Sequence, residues 1–216
     1  VKFATLTSCF ERLEATSSRN DMTALLARLL AATSPDEIGI VCYFVLGEIG
    51  PGYSGVNLGI GDRTAAAAIA LATGTDPASV EAAARELGDY GDAAARLTGR
   101  PAEGLAGPLT VAAVHHGFME IARASGPGSA DRKTRILAAM LAAATPLERR
   151  YLIRLVTGEM RLGAGDMTLL DALAEAFLGS KAQRPHLEHA YNLSSDIGHV
   201  ARTLQEEGLS GVSAIS

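Results

Sequence analysis

Alanine and leucine recur along this chain at i, i+3 and i+4, the spacing that lines one face of an α-helix; residues 65–72 and 137–144 are the plainest stretches. A short turn that carries serine with arginine or lysine, Ser17-Ser18-Arg19 in one place and residues 129–133 in another, leads directly into a helix with such a face. Thr33-Ser34-Pro35-Asp36-Glu37 and Thr145-Pro146-Leu147-Glu148 read as helix starts, with a hydroxyl residue for the N-cap, proline in the first turn and an acid behind it. Mostly apolar helices follow over 38–46 and 148–157. No stretch alternates polar and apolar residues for long enough to make a half-buried strand, although 41–45 taken alone reads as one. The pattern predicts an all-α fold of about ten to twelve helices.

The chain also repeats itself. With Pro35 set on Pro146, an offset of 111, residues 25–35 fall on 136–146 and Gly47-Glu48 falls on Gly158-Glu159. Beyond an insertion in the first copy, Leu58-Gly59-Ile60-Gly61-Asp62-Arg63-Thr64 matches Leu162-Gly163-Ala164-Gly165-Asp166-Met167-Thr168, and Asp89-Tyr90-Gly91 matches Asp196-Ile197-Gly198. The counterpart of 41–45 carries Arg154, close behind Arg149 and Arg150, and fits a helix better than a strand. The repeat predicts two pseudo-twofold-related lobes, about 1–100 and 108–210, joined by the Gly/Pro-rich stretch 99–108.

Composition narrows the class. The 216 residues are 48% hydrophobic and 20% charged, in the range of a packed globular protein, while 5% aromatics and no tryptophan leave the interior to Ala, Leu, Ile and Val. No apolar run approaches the roughly 18–20 residues of a bilayer span, which excludes a membrane helix. Cys9 and Cys42 form no CxxC pair, and the chain begins without an apolar leader; both point to a reducing, intracellular setting, cytoplasmic or nucleoid-associated. The net charge of −5 argues against indiscriminate attraction to a polyanion, so a nucleic-acid role requires the bases to be gathered locally.

The two Leu-Gly-x-Gly-Asp-x-Thr loops are the most informative local feature. Each sets closely spaced glycines before a helix N-terminus, where free backbone N–H groups and the positive end of the helix dipole suit a phosphate. Arg161 precedes one loop and Arg63 follows the glycines of the other. The alternative is that the glycines merely turn the chain and Asp62 and Asp166 cap it. No Gly-Lys-Ser/Thr follows, so neither loop is a P-loop. Two related helix starts suit the two backbones of a duplex, a contact that positions without reading sequence.

These residues resemble the N-terminal DNA-binding domain of ATP-dependent DNA ligases, of the archaeal and eukaryotic replicative type. The resemblance rests on Ala15-Thr16-Ser17-Ser18-Arg19, Gly47-Glu48-Ile49 with Pro51 and Tyr53, Leu58-Gly59-Ile60-Gly61, and Gly88-Asp89-Tyr90-Gly91. Ile121-Ala122 with Ser125-Gly126, Gly128-Ser129 with Arg132-Lys133, and above all Tyr151-Leu152-Ile153-Arg154 through Gly158-Glu159-Met160-Arg161-Leu162-Gly163 extend it over nearly the whole chain. It implies a segment that grips the minor groove and backbone of duplex DNA on both sides of a nick, in replication, repair and recombination. The implied partners are nicked DNA and the ligase's own nucleotidyltransferase and OB-fold domains, with the chain a monomer. The family adenylates a lysine in Lys-x-Asp-Gly; none of Lys2, Lys133 and Lys181 stands in that motif. The expectation is therefore a non-catalytic segment with no cofactor of its own, the ATP and divalent metal belonging to a catalytic domain outside it.

By the resemblance, Arg161 contacts the DNA backbone, with a surface ion pair to Glu159 or Asp166 as its alternative. Gly163 and Gly165, with Gly59 and Gly61, let amides reach phosphates. Arg132 and Lys133 form a basic turn on the DNA face. Arg19 holds the matching turn of the first copy or pairs with Glu11 or Glu14, and Arg63 is a weaker candidate. Arg149, Arg150 and Arg154 read as ion pairs or a solvated face around Glu148. His186 and His189 share a helix face but lack a third metal ligand in sequence. Ser194, Asp196 and His199 suggest a triad only superficially, because the first copy keeps the aspartate alone and a helix-start role fits both copies. Tyr53 packs against a sugar or closes its loop. A competing reading is an α-helical repeat scaffold that binds a protein.

Overall fold

The computed structural model describes residues 1–97 and 107–216. Most of the expected connecting stretch, 99–106, lies outside the described residues. Among those described, twelve α-helices form: α1 (Phe3–Glu14), α2 (Arg19–Ala31), α3 (Pro35–Val45), α4 (Asp62–Thr73), α5 (Pro77–Leu87), α6 (Tyr90–Arg96), α7 (Val111–Arg123), α8 (Ser129–Ala143), α9 (Pro146–Thr157), α10 (Asp166–Leu178), α11 (Arg184–Ser194) and α12 (Ile197–Ser213). The sole β-type pairing among them is a bridge between Lys2 and Thr110. Residues 41–45 are helical, and no described helix is long and apolar enough to cross a membrane.

The predicted helix starts are made as the sequence writes them. Ser34 stands at the N-cap of α3, its hydroxyl turned to the Glu37 carboxylate, and Thr145 caps α9, each with proline next. At Thr145 the box is reciprocal: the Glu148 N–H donates to Thr145 Oγ1 at 3.3 Å, and the Thr145 N–H donates to the Glu148 carboxylate at 2.8 Å. Both helices end at a left-handed glycine, Gly47 (φ +75°) and Gly158 (φ +74°). The next N–H turns back in each case, Glu48 to the Tyr43 carbonyl and Glu159 to the Arg154 carbonyl.

The chain divides into two compact units, but not at the boundary the repeat suggested. One unit holds Ser8–Val56 and Arg161–Ser216 together with Val1; the other holds Lys2–Thr7 and Asn57–Met160. Each therefore combines the first half of one copy with the second half of the other. Within the first unit α2 and α11 pack on α10, and α3 and α11 pack on α12. Within the second, α8 and α5 pack on α4, and α9 and α5 pack on α6. The pairing plan is the same with the copies exchanged. The lobes 1–100 and 108–210 fail as packing units because each copy's apolar faces are covered by helices of the other copy.

Small residues set the closest crossings. In the first unit a Cβ on Gly198 would lie 2.4 Å from the Tyr43 ring, and one on Gly39 would lie 3.3 Å from the Gly198 carbonyl. In the second, a Cβ on Gly91 would lie 2.7 Å from the Arg150 carbonyl. The aspartate two residues before each of these crossing glycines, Gly198 and Gly91, caps the helix, Asp196 receiving the His199 N–H and Asp89 the Gly91 N–H. A side chain from the crossing helix then reaches that carboxylate: Tyr43 Oη donates to Asp196 at 2.5 Å, and Arg154 Nε to Asp89 at 2.7 Å. Tyr43 and Arg154 stand 111 residues apart, so the repeat has kept the contact and changed its chemistry. Arg154 is accordingly buried and bound to Asp89 and Asp92, not part of a solvated face around Glu148. Arg149 is buried too, donating to the carbonyls of Leu141 and Leu97. The 65–72 stripe is core, with Ala65, Ala66, Ala68 and Ala72 fully covered. Cys9 and Cys42 are free thiols, and burial pushes Cys9 up to about 11.

Candidate nucleic-acid interface

Both glycine loops adopt one backbone path. The first glycine is left-handed, Gly59 at φ +60° and Gly163 at φ +71°, a conformation that strains any residue with a Cβ. The second is the N-cap of the following helix in extended conformation: Gly61 (φ −99°, ψ 179°) before α4 and Gly165 (φ −106°, ψ −174°) before α10. Asp62 and Asp166 stand one position further in and do not cap; neither helix has a side-chain cap bond. Nothing lies within 4 Å of a Cβ built on Gly61 or Gly165. Neither backbone nor space demands glycine there, and serine, threonine or aspartate is the usual choice because its oxygen takes a first-turn N–H. Glycine leaves that turn open in both copies. All four glycines are exposed.

The cations sit differently around the two loops. In the second unit, Lys133 of α8 donates from Nζ to the Leu58 carbonyl at 2.8 Å, and its amine lies 2.8 Å from where a Gly59 Cβ would be. Arg63, in the first turn of α4, and Arg132 are exposed. In the first unit the residue 111 positions before Lys133 is Met22, whose methyl lies 3.3 Å from the Cβ position of Gly163. The charge there belongs to Arg161, exposed just before the loop, where the second unit has Asn57. Asn57 has another role: its Oδ1 accepts the Gly59 N–H at 2.8 Å. The amide of Gly59 is thus already engaged, and the open donors of that loop are those of the α4 first turn. An asparagine two residues before a glycine is the sequence signal for this Asx turn.

Arg19 pairs with neither Glu11 nor Glu14. Its guanidinium reaches Asp171 of α10 at 3.1 Å, and Arg184 meets the other oxygen of that carboxylate at 3.2 Å. The structure thus places Arg19, Arg161, Gly163 and Gly165 in one unit, and Gly59, Gly61, Arg63, Arg132 and Lys133 in the other.

An acidic and phenolic group borders the 162–165 loop within the first unit. Tyr191 Oη donates to Asp166 at 3.2 Å, and burial with the neighbouring Asp166 charge raises the Tyr191 phenol. Burial, then Asp166, raises the Glu48 carboxyl. Burial and its bond to Asp196 raise the Tyr43 phenol. The triad reading does not survive: Ser194 Oγ turns back to the Ala190 carbonyl, and Asp196 is a helix cap bound by two tyrosines. Among the described residues no group of three or more histidines, cysteines and carboxylates is placed to hold a metal ion.

Comparison with known proteins gives the family. Residues 2–174 match the family model described as DNA ligase N terminus. The chain is 40% identical over 215 residues to the probable DNA ligase of Aquifex aeolicus (strain VF5), an alignment covering all of this chain and 37% of that protein. It is likewise 40% identical over 222 residues to DNA ligase 2 of Thermofilum pendens, covering 99% of this chain and 37% of the relative. The DNA ligase of Aeropyrum pernix is 40% identical over 227 residues, with 99% and 38% covered. The chain spans a little over a third of the length of these curated relatives. With most of its residues inside the family model and its full length aligned with named ligases, the chain belongs to the DNA ligase N-terminal family.

Proposed function

We propose that this domain is the duplex-binding module of an ATP-dependent DNA ligase, holding the minor groove and backbone on both sides of a nick. It leaves adenylation and sealing to nucleotidyltransferase and OB-fold domains, which bring the ATP and metal chemistry. Each uncapped helix start receives a backbone phosphate, with Lys133, Arg132 and Arg63 supplying charge at the α4 start and Arg161 at the α10 start. Arg19, tied to Asp171, contributes less. One observation carries the reading: in both copies the N-cap is a glycine that neither φ nor packing requires. A scaffold that binds protein has no use for two open, side-chain-free helix starts in the same place.

Gly165→Ser and Gly61→Ser test it directly. Serine restores the ordinary cap and raises helix stability by a few tenths of a kcal/mol. It also occupies the open donor, removing a charge-assisted hydrogen bond of about 1.5–3 kcal/mol. Each variant should therefore melt no lower than the parent yet bind duplex DNA at least about tenfold more weakly. Equal affinity in both variants would overturn the assignment. The salt dependence supplies a second check: Arg161→Ala and Lys133→Met should each lower the slope of log K against log salt by about one unit. Met22 already fills the position equivalent to Lys133, so that exchange installs a side chain the other copy accommodates, at the cost of the Lys133–Leu58 hydrogen bond.

A further inference from the structure

Of the five tyrosines and five phenylalanines, Tyr53 alone is exposed among the described residues, at 69%. It does not dangle. It stands in a 3₁₀ turn, Gly52–Ser54, braced where Ser54 donates twice to the Pro51 carbonyl, from its N–H at 2.9 Å and its hydroxyl at 2.6 Å. Its own hydroxyl donates to Asp196 Oδ2 at 3.0 Å. Asp196 is 9% exposed and is fixed from the other side by Tyr43 and by the His199 N–H. The polar end of the side chain is therefore anchored and the apolar face of the ring is what solvent meets. A ring whose only purpose was to close the loop would turn that face inward.

The surroundings say what it can meet. Tyr191 of α11 donates to Asp166 at the α10 start, and α11 packs on both α10 and α12, whose N-cap Asp196 anchors the ring, so the ring and the α10 start border the same helix of the first unit. The ring's own anchor, Asp196, is an acid, so what the ring can meet is an uncharged surface, and the phosphate is left to Arg161 and the open amides of the α10 start. We propose that Tyr53 is a non-ionic DNA contact: its ring packs on a deoxyribose of the strand whose phosphate sits at the α10 start, and Asp196 holds it in position. This rests on the duplex-binding reading above and assigns a residue to it. The contact is weaker than a base stacked on an aromatic ring and carries no counterion release.

The test uses the 216-residue chain and a nicked duplex. Tyr53→Ala, which removes an exposed side chain, should keep the parent's helical circular dichroism and melting temperature. Its affinity should fall about five- to tenfold at every salt concentration, with the parent's salt slope. Because the chain contains no tryptophan, Tyr53→Trp installs a single reporter, whose emission should change as duplex saturates the protein. Parent-like affinity in Tyr53→Ala, a reduced slope, or tryptophan emission indifferent to saturating duplex each overturns the proposal while leaving duplex binding itself standing. Failure of the parent to bind duplex at low salt would bring down both.

Discussion

Arg154 offers the sharpest check on the packing argument, because the repeat supplies its own control. Its side chain is 11% exposed, and its guanidinium donates to Asp89 (10% exposed) and Asp92 and lies 5.6 Å from the Tyr151 ring centre. Arg154→Ala leaves Asp89 buried beside Gly91 with only the α6 first turn to hold its charge. Breaking a buried pair from one side costs about 3–5 kcal/mol, and residual water access argues for the lower end. Arg154→Tyr places at this position the residue its counterpart uses: Tyr43 meets Asp196 over Gly198 in the same way. The phenol can keep the bond to Asp89. Asp92 loses one partner but is 32% exposed and still faces Arg150, so the loss should be about 1 kcal/mol. Urea unfolding followed by circular dichroism, with the slope m checked against the parent, measures both variants. The expected order is parent, then the tyrosine variant, then the alanine variant, with a gap of about 2 kcal/mol between the two variants. If both variants were equally destabilised, or the alanine variant lay within about 0.5 kcal/mol of the parent, the buried-pair account would be wrong.

Two further outcomes follow from close contacts and charge. Gly198→Ala drives a methyl into the Tyr43 ring, at 2.4 Å with an ordinary φ, and should cost about 1–3 kcal/mol by overpacking; a double variant with Tyr43→Ala should recover part of that loss in the same unfolding assay. Glu48→Gln should raise the melting temperature at neutral pH, because burial and Asp166 disfavour the carboxylate and so raise its folded pKa. Stability from that group is present at low pH and is lost as pH rises from about 4.5 through the raised value. The advantage of the glutamine variant over the parent should accordingly vanish in melts below pH 4.5, and an advantage that grew on acidification would refute the assignment.

Much of this is legible in the residues. The hydroxyl–proline–acid starts of α3 and α9, the shared Asp89 and Asp196 caps and both glycine loops stand where local chemistry places them, because each is decided within four or five residues. The exchange of halves between units is not legible. An alanine-leucine face on α2 is satisfied equally by α4 of its own copy or by α10 of the other, and an internal repeat makes those two choices identical in sequence. For Arg154 an ion pair is legible as one of two readings, but its partner is not: Asp89 lies 65 residues away and meets it only in the fold. Gly59 is only half readable, since its role as a turn is plain in the sequence but the use of its N–H by Asn57 emerges only from the folded loop.

The crossed pairing has a consequence for any shortened version of the chain. A polypeptide stopping near the midpoint would carry α2 and α3 without α10 and α12, and α4 and α6 without α8 and α9, keeping α5 on α4 and α6 but baring the faces that the other copy covers. Expressed alone, one copy of the repeat could complete these pairings only by borrowing helices from a second molecule, as a domain-swapped pair does. Tandem duplication turns that intermolecular requirement into an intramolecular one, and neither core can close until synthesis has run well past the midpoint of the chain.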